Sequence, residues 1–242
     1  MNEAVFISDL HLHPEQPNIL EKFKHFVTWA EKNTHSLYIL GDFLHVWPGD
    51  DALDAWGEYI ADLLAKLHDQ GVSIFFMAGN RDFLIGERFL KQAKMHALPD
   101  PVCIQLGNTP VVLSHGDAYC TRDRGHQWFR RLTRNPWFKR VFLTLPFPFR
   151  SHLVNQVRRY SQNNIRKPSI NMQTIPEAMQ KDVKHFSAQH LIHGHTHQPG
   201  AKKHPLENGF WTEYTLSDWD ENPSVLCYNQ SNYQFILINE DM

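Results

Sequence analysis

The stretch LIHGHTHQPG, residues 191–200, sets two aliphatic residues before three histidines at alternate positions, His193, His195 and His197. A helix, with its period of 3.6, would scatter these rings, whereas an extended chain aims all three to one side. The stretch therefore reads as the end of a strand that delivers imidazoles to one region, where they suit a metal, a proton relay or chance. Four more apolar runs stop at polar motifs in the same way. AVFIS stops at Asp9-Leu10-His11, SLYIL at Gly41-Asp42, VSIFFMA at Gly79-Asn80-Arg81-Asp82, and PVVLS at His115-Gly116-Asp117. These runs are short and rich in β-branched and aromatic residues, as strands are. Between them, residues 18–32 place Ile19, Phe23, Phe26, Val27 and Ala30 on one helical stripe. Residues 53–69 do the same with Trp56, Ile60, Leu63, Leu64 and Leu67. Thr174-Ile175-Pro176-Glu177 predicts a third helix opened by a capping box. EYTLSDW, SVLCYN and YQFILIN read as further strands joined by turns. Strands alternating with helices predict an α/β fold. Ligands of open α/β sheets gather at the carboxyl ends of strands, and every motif above sits at such an end.

With 242 residues, 42% of them apolar, the chain can bury a substantial core as one large domain or one domain with an insertion. No apolar run approaches the roughly 18–20 residues of a membrane span. The opening MNEAVFISDLHLH has neither a basic n-region nor a long apolar h-region, so a signal peptide is not expected. Cys103, Cys120 and Cys227 are odd in number and lack CxxC spacing, which argues against a disulfide framework or structural zinc and for a reducing cytoplasm. The net charge of −2 hides an asymmetry. Between Arg122 and Lys167 lie twelve basic residues and one acid, Asp123, giving +11 against −13 for the rest of the chain. Eight of the thirty aromatic residues fall in the same segment. A basic, apolar block within an acidic chain predicts an insertion with its own task. The expected division is a core over 1–121 and 168–242 and an inserted helical segment over 122–167.

Singly, each motif has a plain alternative: Asp9 as a helix cap, Asp42 as the start of a turn, HGHTH as a chance run among 16 histidines. Jointly, five segments bring carboxylates, an amide and imidazoles together. Without thiolate, these hard-to-borderline ligands suit Mn²⁺, Fe²⁺, Zn²⁺ or Mg²⁺. One carboxylate can bridge two cations about 3.5–4 Å apart, an arrangement that activates water and offsets charge on a phosphoryl group.

DxH, GDx, GNRD, HGD and HGHTH, in this order, resemble the motifs of the calcineurin-like metallophosphoesterases. The resemblance implies a two-sheet αββα sandwich. It implies one cation held by Asp9, His11, Asp42 and His195, and a second held by Asp42, Asn80, His115 and His193, with Asp42 bridging. His197 has no ligand role in this scheme. Arg81 is placed to grip a phosphoryl oxygen. Asp42, Asn80, Arg81 and His115 form the implied catalytic set.

SDLHL, YILGDFLHVWPGDD, GNRDFLIGERF, SHGDAYCTRD and LIHGHTHQP are further similar to the UDP-2,3-diacylglucosamine hydrolases of lipid A synthesis in Gram-negative bacteria, over residues 5 to about 220. That resemblance implies attack of metal-activated water on the α-phosphorus of the UDP-linked diacyl sugar, giving UMP and 2,3-diacylglucosamine 1-phosphate. It implies two divalent cations, Mn²⁺ by preference, and a protein held peripherally at the cytoplasmic face of the inner membrane; a monomer is expected. Asp123, Ser161, Asn164 and Lys167 would contact substrate beside Asn80, Arg81 and His193. The run from Ser161 to Lys167 is one residue shorter than the family spacing, and one residue turns a helical side chain by about 100°. NPWFKRVFLTLPFPFRSHLVNQVRR, broken by Pro136, Pro146 and Pro148, reads as short helices forming a lid over an acyl groove, with cations facing anionic headgroups. Its aromatic residues sit among aliphatics, which suits lipid rather than nucleic acid. The metal motifs equally fit another dinuclear phosphodiesterase or nucleotide pyrophosphatase, and the fold could serve as a non-catalytic membrane scaffold.

Overall fold

The computed structural model describes residues 1–163 and 173–238, with side chains at 158–163 outside the description. Two sheets lie face to face, with helices covering their outer sides. The first sheet contains β1 (Ala4–Ile7), β2 (Ser36–Leu40), β3 (Ser73–Met77), β4 (Met95–Leu98), β10 (Ser224–Asn229) and β11 (Asn232–Leu237), in the order β11-β10-β1-β2-β3-β4. Strands β1 to β4 are parallel, and β10 closes antiparallel on β1. The second sheet contains β5 (Val102–Leu106), β6 (Thr109–Ser114), β7 (His190–His193), β8 (Gly200–Leu206) and β9 (Gly209–Thr215), in the order β5-β6-β7-β9-β8. Its three central strands are parallel.

Alternation along the strands builds the layers. Ala4, Phe6, Leu40 and Met77 of the first sheet meet Val111, Leu113 and Ile192 of the second in a buried layer between them. Val5, Ile7, Leu37, Ile39, Ile74 and Phe76 point the other way, onto helices α1 (Pro17–Asn33), α2 (Ala55–Asp69) and α3 (Glu87–Gln92). The buried stripe of α1 is Ile19, Phe23, Phe26, Val27 and Ala30, the set that its period predicts. Val112, Leu191 and Trp211 on the far side of the second sheet pack on Met179 and Val183 of α7 (Pro176–His185). Full burial of each such side chain contributes about 1.5–3 kcal/mol. The result is the expected αββα sandwich.

Three helices, α4 (Arg124–Thr133), α5 (Pro136–Leu143) and α6 (Phe147–Asn163), follow β6 in the basic segment. Asn135 caps α5 by accepting from Trp137 N at 2.8 Å, and Pro136 takes its first position, where a missing N–H is harmless. Phe138 and Phe142 pack on the core, while Trp128, Trp137, Val141 and Phe149 are exposed. No helix among the described residues is long and apolar enough to cross a membrane.

Two local expectations are corrected. The capping box at Thr174 does not form: the N-cap is Ile175, without a side-chain bond, and the Thr174 hydroxyl instead faces Glu213 Oε1 at 3.4 Å. The strand entering HGHTH stops at His193, and His195 and His197 take left-handed φ of 69° and 53°. The three rings therefore do not share one strand face. The edge strands β4, β5 and β8 carry no clear alternation and were not expected from the sequence.

Candidate metal centre

All five motifs leave the carboxyl ends of parallel strands, β1, β2, β3, β6 and β7, on one rim of the sandwich. Backbone bonds stitch the loops together. Asp9 N donates to Gly41 O at 3.0 Å, His11 N to Asp42 O at 2.9 Å, and Gly194 N to His115 O at 3.0 Å. The approach is too close for side chains at two positions: a Cβ on Gly79 would run into the Asp42 carboxylate, and one on Gly194 into Asp9 and Ser8. Asp82 fastens two loops from beneath. Its buried carboxylate accepts Phe43 N at 2.8 Å and Gly79 N at 2.7 Å. Burial, with Asp42 nearby, pushes the Asp82 carboxyl up to about 6.

Nine non-glycine residues among those described have positive φ, and five of them are Asp9, His11, Asp42, His195 and His197. Strained backbone of this kind concentrates at functional sites, where the surrounding structure holds it.

The side chains fall into two groups. Ligand atoms of Asp9, His11 and His197 lie within 4.8 Å of one another, as do those of Asp9, Asp42 and His115. Asp42 stands between the groups, with Oδ2 3.9 Å from His11 Nδ1 and Oδ1 3.7 Å from His115 Nε2. Asn80 Oδ1 faces His115 Nε2 at 3.0 Å, so both atoms converge on one point. The His195 ring lies beside His115, with centroids 5.1 Å apart. Outer partners aim the ligands, as carboxylates and carbonyls commonly do for metal-bound histidine. His115 Nδ1 donates to Leu40 O at 2.9 Å, and His197 Nδ1 lies 3.1 Å from Asp218 Oδ2.

This donor set fits divalent cations. Both ring nitrogens of His11 and the Asp9 Oδ1 are buried without a hydrogen-bond partner, a state that native interiors rarely tolerate. Burial presses the Asp9 carboxyl towards neutrality, but His197, His115 and His11 outweigh it and hold the group well below the usual carboxylate range. Burial, with His115 nearby, pushes His195 down to about 3, which leaves the neutral imidazole that a metal needs. Burial also opposes charge on His115, yet the carboxylates of Asp42, Asp117 and Asp9 raise it to about 9.

The expected residues are placed as follows. Asp9, His11, Asp42, Asn80, His115 and His195 come together. His193 does not join them: its Nδ1 lies 2.8 Å from Gly194 O and its Nε2 lies 2.9 Å from Glu213 Oε1, so its ring faces these two partners instead of the Asp9, Asp42 and His115 cluster. His197, expected to have no ligand role, instead sits with Asp9 and His11, its Nε2 3.4 Å from Asp9 Oδ1. The turn after β7 causes this exchange. Arg81 borders the site, its Nε 3.5 Å from Asp42 Oδ2. Asp123 caps α4, accepting from His126 N at 3.0 Å. The side chain of Ser161 and all of Asn164 and Lys167 lie outside the described residues. Asp218 and Glu213 were missed in the sequence, since each stands in a segment with no local pattern that marks it, whereas Asp82 closes the GNRD motif and only its bracing role was missed.

The calcineurin-like phosphoesterase family model matches residues 4–199. A UDP-2,3-diacylglucosamine hydrolase of Stutzerimonas stutzeri is 40% identical, covering 95% of this chain and 96% of the relative. Its counterpart in Pseudomonas aeruginosa is 39% identical over 90% of this chain and 91% of the relative. A solved archaeal phosphodiesterase aligns over 97% of this chain and 98% of its own, at 12% identity and a TM-score of 0.49.

Proposed function

The chain belongs to the calcineurin-like phosphoesterases and, within them, to the UDP-2,3-diacylglucosamine hydrolases, and from that premise we propose that it hydrolyses the pyrophosphate of UDP-2,3-diacylglucosamine. Water attacks the α-phosphorus, and the products are UMP and 2,3-diacylglucosamine 1-phosphate. The observation that carries this reading is the convergence of buried Asp9 and of His11, whose ring nitrogens lack a hydrogen bond, with Asp42, His115 and His197 at one rim. By this reading Asp9, His11, Asp42 and His197 hold one divalent cation, and Asp42, Asn80, His115 and His195 hold the other. Two cations there, manganese by family preference, would lower the pKa of water and offset charge on the phosphoryl oxygens.

The chain's own groups do the rest. Arg81, with its side chain 30% exposed, stands over Asp42 and offers its guanidinium to a phosphoryl oxygen. Asp123, Ser161, Asn164 and Lys167 would complete the contacts to nucleotide and sugar. Helices α4 to α6 form the lid that receives the acyl chains. The exposed Trp137, Val141 and Phe149, on a strongly basic segment, suit the anionic surface of the inner membrane's cytoplasmic leaflet.

Incubation with UDP-2,3-diacylglucosamine and Mn²⁺ in ¹⁸O-labelled water tests the reading. The expected result is release of UMP carrying the label. Label on the sugar phosphate would place the attack at the other phosphorus, and no UMP at all would refute the activity.

A further inference from the structure

A trio of ionisable groups, two buried and one half-buried, lies outside the metal centre but against its backbone. Glu213, on β9, is 3% exposed, and both of its carboxylate oxygens are occupied. His193 Nε2–H donates to Oε1 at 2.9 Å, and His204 Nε2–H donates to Oε2 at 2.6 Å. The trio spans three adjacent strands, since β7 ends at His193 and β8 carries His204. The His204 ring stacks on Trp211, with centroids 4.4 Å apart and planes 20° from parallel. One end of the trio is thus anchored in the packing of the outer sheet.

The other end touches the site. His193 Nδ1 lies 2.8 Å from the Gly194 carbonyl oxygen. From the opposite side, Gly194 N donates to His115 O at 3.0 Å and His195 N donates to Asp9 Oδ2 at 2.7 Å. The Gly194–His195 peptide is therefore held between the His193 ring at its carbonyl, which Thr196 N also reaches at 2.9 Å, and Asp9 at its N–H, while His115 O fixes the peptide before it. Directly after it the chain takes the left-handed turns at His195 and His197. A turn strained twice within three residues keeps its shape only while its entry is fixed.

We propose that Glu213 and His193 are positioning residues for the metal centre. The carboxylate locks the imidazole, the imidazole holds the Gly194 peptide, and the peptide sets how His195 and His197 approach the cations. This inference rests on the metal reading of the site. It assigns the first histidine of HGHTH the task of support rather than ligation.

The test titrates Mn²⁺ calorimetrically into the full-length metal-free protein, as wild type, Glu213→Ala, Glu213→Gln and His193→Phe. Thermal melts of each metal-free form, and kcat and KM at saturating Mn²⁺, accompany it. Groups that support metal ligands typically contribute about 10–100-fold to metal affinity, so Glu213→Ala should weaken Mn²⁺ binding by about tenfold or more. Its kcat should fall while KM holds. Glu213→Gln keeps an acceptor for His193 and should recover most of the affinity. His193→Phe keeps the ring's bulk, removes both ring nitrogens and should match Glu213→Ala, so a folding failure of one variant leaves the other to decide. Wild-type affinity and kcat in Glu213→Ala or His193→Phe would overturn the proposal. So would losses that follow the fall in Tm equally in the Ala and Gln variants, which would mark a packing role alone. A wild type that takes up no Mn²⁺ would refute the metal reading itself.

Discussion

Replacing Arg150 with alanine should loosen α5 and α6 from the core by about 3–5 kcal/mol. The arginine is 1% exposed and projects from α6 into the loop after β2. Its Nε donates to Leu145 O at 2.8 Å and its Nη1 to Pro48 O at 2.5 Å, and its Nη2 pairs with Asp51. Gly49 passes so close that a Cβ there would strike the guanidinium. A hydrogen bond from a charged donor contributes about 1.5–3 kcal/mol. The pair to half-exposed Asp51 adds less than about 1 kcal/mol, and removal strands two carbonyls. Hydrogen exchange followed by mass spectrometry reads the effect locally, and α5 and α6 amides should lose protection by a hundredfold or more. The KM for the diacylated substrate should rise with it. Arg150→Lys should recover less than half, because one ammonium cannot reproduce the fork that spans three acceptors. Wild-type exchange rates across α5 and α6 in the alanine variant would refute the reasoning.

Asp42→Ala removes the carboxylate that faces both ligand groups and should lower kcat/KM by about a thousandfold or more; near wild-type turnover at saturating Mn²⁺ would contradict the bridging role. His197→Ala should reduce bound manganese from two ions to one per chain under dialysis against limiting metal, measured by elemental analysis, and unchanged stoichiometry would return His197 to a bystander. Trp137→Ser, at a side chain that is largely exposed, should weaken sedimentation with anionic phospholipid vesicles roughly tenfold while turnover of detergent-solubilised substrate holds. Equal vesicle binding by both forms would remove this face from membrane contact.

The layers were legible because strand and helix periods are local properties. SLYIL and the stripe of α1 declare their buried faces within a few residues, and β2 and α1 form where those patterns lie. The residue types at the five strand ends were legible for the same reason, as each motif closes an apolar run. Which histidines of HGHTH turn inward was not legible. Alternation assumes an extended chain, whereas β7 stops at His193 and the next residues enter left-handed turns imposed by contacts with Asp9 and His115. Asp218 and Glu213 were equally hidden. Their importance lies in reaching His197 and His193 from a distant part of the chain, and nothing in EYTLSDW carries that information. Thr174 shows the converse, a good local cap signal overridden by tertiary structure, its hydroxyl facing Glu213 instead.

Anomalous diffraction from manganese-soaked crystals addresses the account most directly. Two peaks are expected on each chain, one among Asp9, His11 and His197 and one among Asn80, His115 and His195, with the Asp42 carboxylate between them. A peak ligated by His193, or manganese found only away from this rim, would contradict it.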